Sequence, residues 1–297
     1  MQRLVFVLAY PFLWGISKLP FWLLYRVSDF VFFLLYRVIR YRRKVVRENL
    51  LLVFPEKSGG ERRLIERKFY AHLCDMFLEM VKTMGMSQEQ MQRRFTYSDL
   101  NILEDLELQN KSIMLMYPHY ASWEWTMTLD PHVRSKGYAI YQRINNKYFD
   151  QWLREVRAKL GTTLIQTKET PGVILKNKKR GQLATYAILS DQSPMPSNAR
   201  HWAPFMGVMV PMHVGAESLS KRMDLPVVYL RVRKPARGYY EGSFKLLAEN
   251  PKEVPDYEIT EAFFREVEHS IREAPEFYFW THKRWKHRDK IPEAFKA

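Results

Sequence analysis

The chain has 297 residues, and 47 lysines and arginines against 32 aspartates and glutamates leave a formal net charge of +15 at pH 7. With 46% hydrophobic and 14% aromatic residues it can bury a large core, which excludes a disordered or fibrous protein. A single cysteine, Cys74, excludes an intrachain disulfide and a cysteine zinc site and assigns the folded part to a reducing compartment.

The N-terminus is apolar and aromatic. Leu4 to Tyr25 carries one charge, Lys18, and a second apolar run covers Phe30 to Tyr36. A bilayer core takes about 20 apolar residues of helix, so the first run is barely long enough, and Pro11, Lys18 and Pro20 interrupt it. Phe12, Trp14, Phe21, Trp22 and Tyr25 suit the headgroup layer. Residues 1–40 are therefore expected to form a retained membrane-anchor helix, with one main domain over residues 41–297. The basic run Arg40, Arg42, Arg43, Lys44 and Arg47 places that domain on the cytoplasmic side if the segment spans. The other reading is a pair of amphipathic core helices followed by a solvated basic face.

From Glu61 to Met84, apolar residues recur at three- and four-residue steps, predicting a helix. Strand-like runs follow at Ser112–Tyr117, Tyr138–Arg143, Thr163–Gln166, Leu183–Leu189, Pro226–Arg233 and Tyr240–Leu247. Helical stretches alternate with them near Trp123–Leu129, Tyr148–Leu160, Val173–Lys179, Val214–Met223 and Tyr257–Arg272. This alternation predicts an α/β fold with a mixed central sheet flanked by helices.

Candidate chemistry concentrates in Ser112–Trp125, SIMLMYPHYASWEW. The strand ends at Pro118, which places His119 in a turn and Glu124 in the first turn of the next helix. Within one helix the two would lie about 140° apart; across a turn the chain can fold back and join imidazole to carboxylate. Such an imidazole is a general base of fixed tautomer. The alternative is a capping histidine and a surface glutamate. Asp191 and Gln192 end another apolar strand, where an aspartate is also a common cap or turn former.

The His119-x4-Glu124 spacing resembles the His-x4-Asp/Glu motif of the glycerolipid and lysophospholipid acyltransferase superfamily, and more narrowly the lipid A biosynthesis lauroyl and myristoyl acyltransferases. The likeness runs over nearly the whole chain. It takes in the apolar start, Arg47–Leu50 with Phe54–Pro55, Tyr141–Asp150, Asp191–Gln192, Pro204–Gly207, Gly215–Glu217, Pro226–Val228 and Phe279–Arg288.

The resemblance implies acyl transfer from acyl-carrier protein to a hydroxyl of a lipid A precursor, without cofactor or metal, on the bacterial inner membrane. His119 would be the base and Glu124 its orienter. Arg143, Asp191, Gln192, Phe205 and Gly207 would bind substrate or line the site. Relatives carry a basic residue directly after the tyrosine matching Tyr141, followed by proline, whereas here Gln142 and Arg143 follow. On a strand that one-residue displacement turns the side chain to the opposite face. Other acceptors, such as ornithine lipid or another glycolipid, and a non-catalytic membrane-surface binding protein remain as alternatives.

The charge is not spread evenly. Residues 1–50 hold nine basic and two acidic residues, and Trp280–Lys290 holds five and one. Two patches, each beside aromatic residues, point to anionic membrane lipid and not to nucleic acid.

Overall fold

The computed structural model describes residues 2–158 and 161–295. The apolar start forms two helices, α1 (Gln2–Lys18) and α2 (Phe21–Phe32). They break at Leu19–Pro20, because proline has no N–H with which to continue the first helix. At 1.5 Å per residue α1 is about 25 Å long, short of the ~30 Å hydrocarbon core. No helix among the described residues is long and apolar enough to cross a membrane, so the expected spanning anchor is not found there.

The two helices are instead built into the body. After π-type turns over Phe33–Ile39 come α3 (Arg43–Val53) and the long α4 (Gly59–Lys82). A Ser58–Glu61 capping box fixes the start of α4. Both α1 and α2 pack along α4. The Tyr25 hydroxyl donates to Glu79 at 2.9 Å and the Ser28 hydroxyl to Asp75 at 2.7 Å. Arg237 bridges Asp29 and Asp75 at 2.7 and 2.6 Å. Buried carboxylates need these partners, and separating the helices from the body would strand them.

Next come α5 (Gln88–Gln92), β1 (Phe95–Tyr97), α6 (Asn101–Leu108), β2 (Ile113–Tyr117), β3 (Lys136–Tyr141) and α7 (Lys147–Ala158). They are followed by β4 (Thr163–Gln166), α8 (Thr170–Lys179), β5 (Ala184–Leu189), β6 (His201–Phe205) and β7 (Val208–Met212). The chain continues through α9 (Gly215–Met223), β8 (Val227–Ala236), β9 (Tyr239–Ala248) and α10 (Glu258–Glu273). The main sheet has the order β1-β9-β8-β2-β5-β3-β4. Every pairing is parallel except β8 with β9. The expected mixed α/β sheet flanked by helices is thus present, and all six expected runs are strands, Thr163–Gln166 with the expected ends and the other five with ends shifted by one to three residues.

The differences are local. Phe205 and Gly207 belong to a hairpin of β6 and β7, whose turn residues Met206 and Gly207 both have positive φ, 53° and 77°, as a two-residue hairpin turn requires. The helix expected at Trp123–Leu129 is a 3₁₀ segment over Trp125–His132. The helix end expected at Leu160 lies outside the described residues. β2 is buried along its whole length between β5 and β8, which explains its unbroken apolar sequence.

The C-terminal aromatic and basic segment has a buried and an exposed side. Trp280, Arg284 and Trp285 are buried, while Lys283, Lys286, Arg288 and Lys290 are exposed. Trp285 stacks on Phe205 at 5.6 Å and on Trp280 at 5.9 Å, and its indole N–H donates to the Phe205 carbonyl at 3.2 Å. Trp285→Ala should therefore cost about 3–5 kcal/mol, read as a lowered midpoint in urea denaturation. An unchanged midpoint would show that this stack is not part of the core.

Candidate active site

The site begins with strand register. Tyr117 of β2 pairs with Leu189 of β5. Two residues beyond each strand end, His119 and Asp191 therefore meet at the carboxyl edge of the sheet, where α/β sites form. Asp191 Oδ1 lies 2.6 Å from His119 Nδ1 and also accepts the His119 backbone N–H at 3.1 Å. Gln192 Nε2 lies 3.3 Å from His119 Nε2. A carboxylate can only accept, so Nδ1 carries the proton and Nε2 keeps its lone pair.

Several elements hold the imidazole. Trp123 meets its ring edge to face at 5.3 Å and Phe279 stacks on it at 5.9 Å. Phe279 N–H donates to the His119 carbonyl at 3.2 Å, and Ala121 N–H to the Phe277 carbonyl at 2.9 Å. The Tyr120 hydroxyl reaches the Ser270 and Ala274 carbonyls at the end of α10, both at 2.9 Å.

Glu124 does not hold the imidazole, contrary to the expectation from spacing. Between His119 and Glu124 the chain passes through Ala121 with φ of 49°, and the Glu124 carboxylate meets Arg157 of α7. Arg157 Nη2 lies 2.6 Å from Oε1, and Nε lies 3.0 Å from Oε2. This two-pronged pair fixes the guanidinium plane. Arg157 had no motif to mark it in the sequence, where it reads as one more polar residue of an amphipathic helix.

His119, Glu124, Arg157 and Gln192 line one cavity of about 800 Å³, whose walls include Leu115, Met127, Ile140, Trp152 and Leu153. The remaining expected site residues lie elsewhere. Arg143 follows the end of β3, is mostly exposed and approaches Asp150 at 3.8 Å. Phe205 is fully buried against Phe264 and Trp285, and Gly207 forms the hairpin tip; neither lines the cavity. The strand-face argument for Arg143 fails because β3 ends at Tyr141.

Electrostatics favour an ionised Asp191. Burial works to raise its pKa, but His119 and, further off, Arg284 outweigh it and hold the carboxyl below its ordinary range. Arg284 is itself fully buried, donating to Ser193 Oγ at 2.8 Å and the Pro211 carbonyl at 3.3 Å. Burial also lowers His213 and pushes His282 down to about 4. Two further histidines near Asp191 are thus kept neutral at pH 7.

A carboxylate-held imidazole opening onto a deep apolar cavity suits base chemistry on a substrate with a long hydrocarbon part. The chain belongs to the bacterial lipid A biosynthesis acyltransferases, whose family profile matches residues 1–287. It is similar to the lipid A biosynthesis lauroyltransferase of Escherichia coli, 27% identical over 93% of this chain and 89% of the relative. The myristoyltransferase of the same organism is 24% identical over 79% and 72%, and its palmitoleoyltransferase 23% over 84% and 80%.

The neutral His282 gives a pH signature. Its folded pKa of about 4 lies below an unfolded value near 6.5, so below about pH 6.5 the unfolded chain binds more protons. Stability complete above that pH falls as pH drops toward 4, by at most roughly 3 kcal/mol from this residue. Urea titrations at several pH values should show a shallower loss for His282→Gln than for wild type. Identical slopes would mean that His282 titrates freely in the fold.

Proposed function

We propose that the protein moves a fatty acyl group from a thioester on acyl-carrier protein to a hydroxyl of a lipid A precursor, at the cytoplasmic face of the bacterial inner membrane. The observation that carries this reading is the His119–Asp191 pair, with Nε2 directed to the apolar cavity, in a chain whose relatives are named for acyl transfer in lipid A biosynthesis. Nε2 takes the proton of the acceptor hydroxyl as its oxygen attacks the thioester carbonyl. A C–O bond forms and negative charge collects on the carbonyl oxygen. The tetrahedral intermediate then breaks its C–S bond, and the departing thiolate takes the proton back from the imidazolium, which Asp191 stabilises meanwhile.

Gln192 meets Nε2 at 3.3 Å and gives way to the acceptor hydroxyl. Glu124 serves the reaction through Arg157, the cationic group of the cavity wall, which balances the developing oxyanion. No acyl-enzyme is needed. Cys74 does not line the cavity, and burial, with Asp75 nearby, pushes its thiol up to about 12, where little thiolate forms.

The two basic patches of the sequence support a single membrane-facing side. Arg42 donates to the Thr281 carbonyl at 3.0 Å, and Asn49 to the Trp280 and His282 carbonyls at 2.9 and 3.0 Å. Arg40, Lys44, Lys283 and Lys286 are exposed, as are Phe30, Phe33, Val38 and Ile39. Apolar groups in the interface and cations on anionic headgroups hold a protein at a bilayer without spanning it, at about 1 kcal/mol per charge.

His119→Ala should lower acyl transfer by about 10²–10⁴-fold in a thioester assay while leaving the fold intact; a wild-type rate would end the general-base reading. Mass spectrometry of lipid A from cells lacking the protein should show one acyl chain missing. An unchanged lipid A with a loss from ornithine lipid or another glycolipid would move the acceptor. Replacing Arg40, Lys283 and Lys286 with glutamate should weaken sedimentation with phosphatidylglycerol vesicles. Equal sedimentation would remove that face from the membrane.

A further inference from the structure

We infer that the exposed face of α8, continued by Arg222 of α9 and by Arg200, is the surface on which the acidic carrier of the acyl donor docks. This rests on the acyl-transfer reading above and adds the place where the donor arrives.

Residues 168–180 hold five basic residues, Lys168, Lys176, Lys178, Lys179 and Arg180, against one acidic residue, Glu169. Their net +4 equals the whole excess left once residues 1–50 and 280–290 are set aside, so the remainder of the chain is neutral. Cations in the last turn of a helix are expected from its dipole. That covers Arg222 at the end of α9 as well, but accounts for neither Lys168 before α8 nor Arg200.

The neighbouring carboxylates do not cancel the charge. Glu169 is turned to the Gln166 side chain at 3.1 Å. Glu217 of α9 is buried and accepts from the Tyr257 and Thr260 backbone, while Asp256 pairs with Lys221 and Asp224 with Lys252. Among the described residues, Lys168, Lys176, Lys179, Arg180, Arg200 and Arg222 enter no ion pair. Leu175 stands half exposed among these cations, and no atom lies within 4 Å of where a Cβ on Gly172 would be. An exposed apolar residue on a helix that carries unpaired cations is complementary to a small acidic protein.

The position also fits the chemistry. The first turn of α8, at Thr170 and Pro171, and Ser218 and Arg222 of α9 border a second cavity of about 390 Å³. It shares Ile140, Ile188, His213 and Gly215 with the cavity that holds His119. A carrier bound at α8 can therefore feed its phosphopantetheine arm between the two helices and bring the thioester to the imidazole. α8 leaves β4 at one edge of the sheet, and its cations are not those of the membrane-facing side, so carrier and bilayer can be engaged together.

The test is steady-state transfer from two donors, acyl-carrier protein and a short acyl-pantetheine thioester, with Lys176→Glu, Lys179→Glu and Arg180→Glu combined. The KM for the carrier-bound donor should rise at least about tenfold and lose most of its salt dependence. The kcat and the rate with the short thioester should stay within about twofold, which also reports an intact fold. A matching Lys283→Glu and Lys286→Glu variant should leave the carrier KM unchanged. If the α8 variant keeps the wild-type carrier KM and salt dependence, or if only the C-terminal variant raises that KM, the assignment is overturned. Wild-type protein transferring from neither donor would instead overturn the acyl-transfer reading itself.

Discussion

The hydrogen bond from His119 to Asp191 depends on two parallel strands ending in register. Because Tyr117 lies beside Leu189, the two chains leave the sheet together, and a 2.6 Å contact follows without a long side-chain reach. Much of the surrounding structure maintains that alignment. The buried β2 fixes one strand end, and the backbone bonds from Ala121 and Phe279 clamp the turn onto the C-terminal segment. The stack of Phe205, Trp285 and Trp280 then holds that segment in the core. The imidazole is fixed by backbone and packing before any substrate arrives, the condition on which the proposed general-base role rests.

The same constraint divides labour between two acidic residues. Asp191 takes the imidazole because it continues a neighbouring strand. Glu124 lies beyond a left-handed residue, Ala121, and its carboxylate is spent on Arg157. One carboxylate therefore sets a tautomer while the other positions a cation. A neutral imidazole hydrogen-bonded to a carboxylate, His119 with Asp191, and an ion pair, Arg157 with Glu124, stand together at one apolar cavity, which His119, Glu124 and Arg157 line. In that low-dielectric setting the charges act more strongly on neighbouring groups than they would in water.

Periodicity and composition made most of the sheet legible, since β2, β4, β5, β8 and β9 are apolar or alternating runs bounded by turn residues. The β6–β7 hairpin escaped because Pro204 and Pro211 lie within its strands, where proline ordinarily argues against a strand. The site was legible as residue types but not as partners. His119 stood out in the turn after one strand, Glu124 at the start of the next helix, and Asp191 and Gln192 at the end of another strand, yet which carboxylate meets the imidazole is a matter of register, a contact between residues 72 apart in sequence. Arg157 gave no local signal, whereas the α8 cations form a basic run in the sequence whose place beside the second cavity needed the fold. The two charge patches were visible by counting, whereas their convergence through Arg42 and Asn49 on the C-terminal segment needed the fold.

By this geometry Asp191, and not Glu124, sets the proton on His119. Nitrogen-15 NMR of the imidazole in histidine-labelled protein at pH 7.5 reads it directly. Nδ1 should be protonated and Nε2 unprotonated in wild type and in Glu124→Gln, with that tautomer lost in Asp191→Asn. A tautomer that survives Asp191→Asn and changes in Glu124→Gln would contradict it.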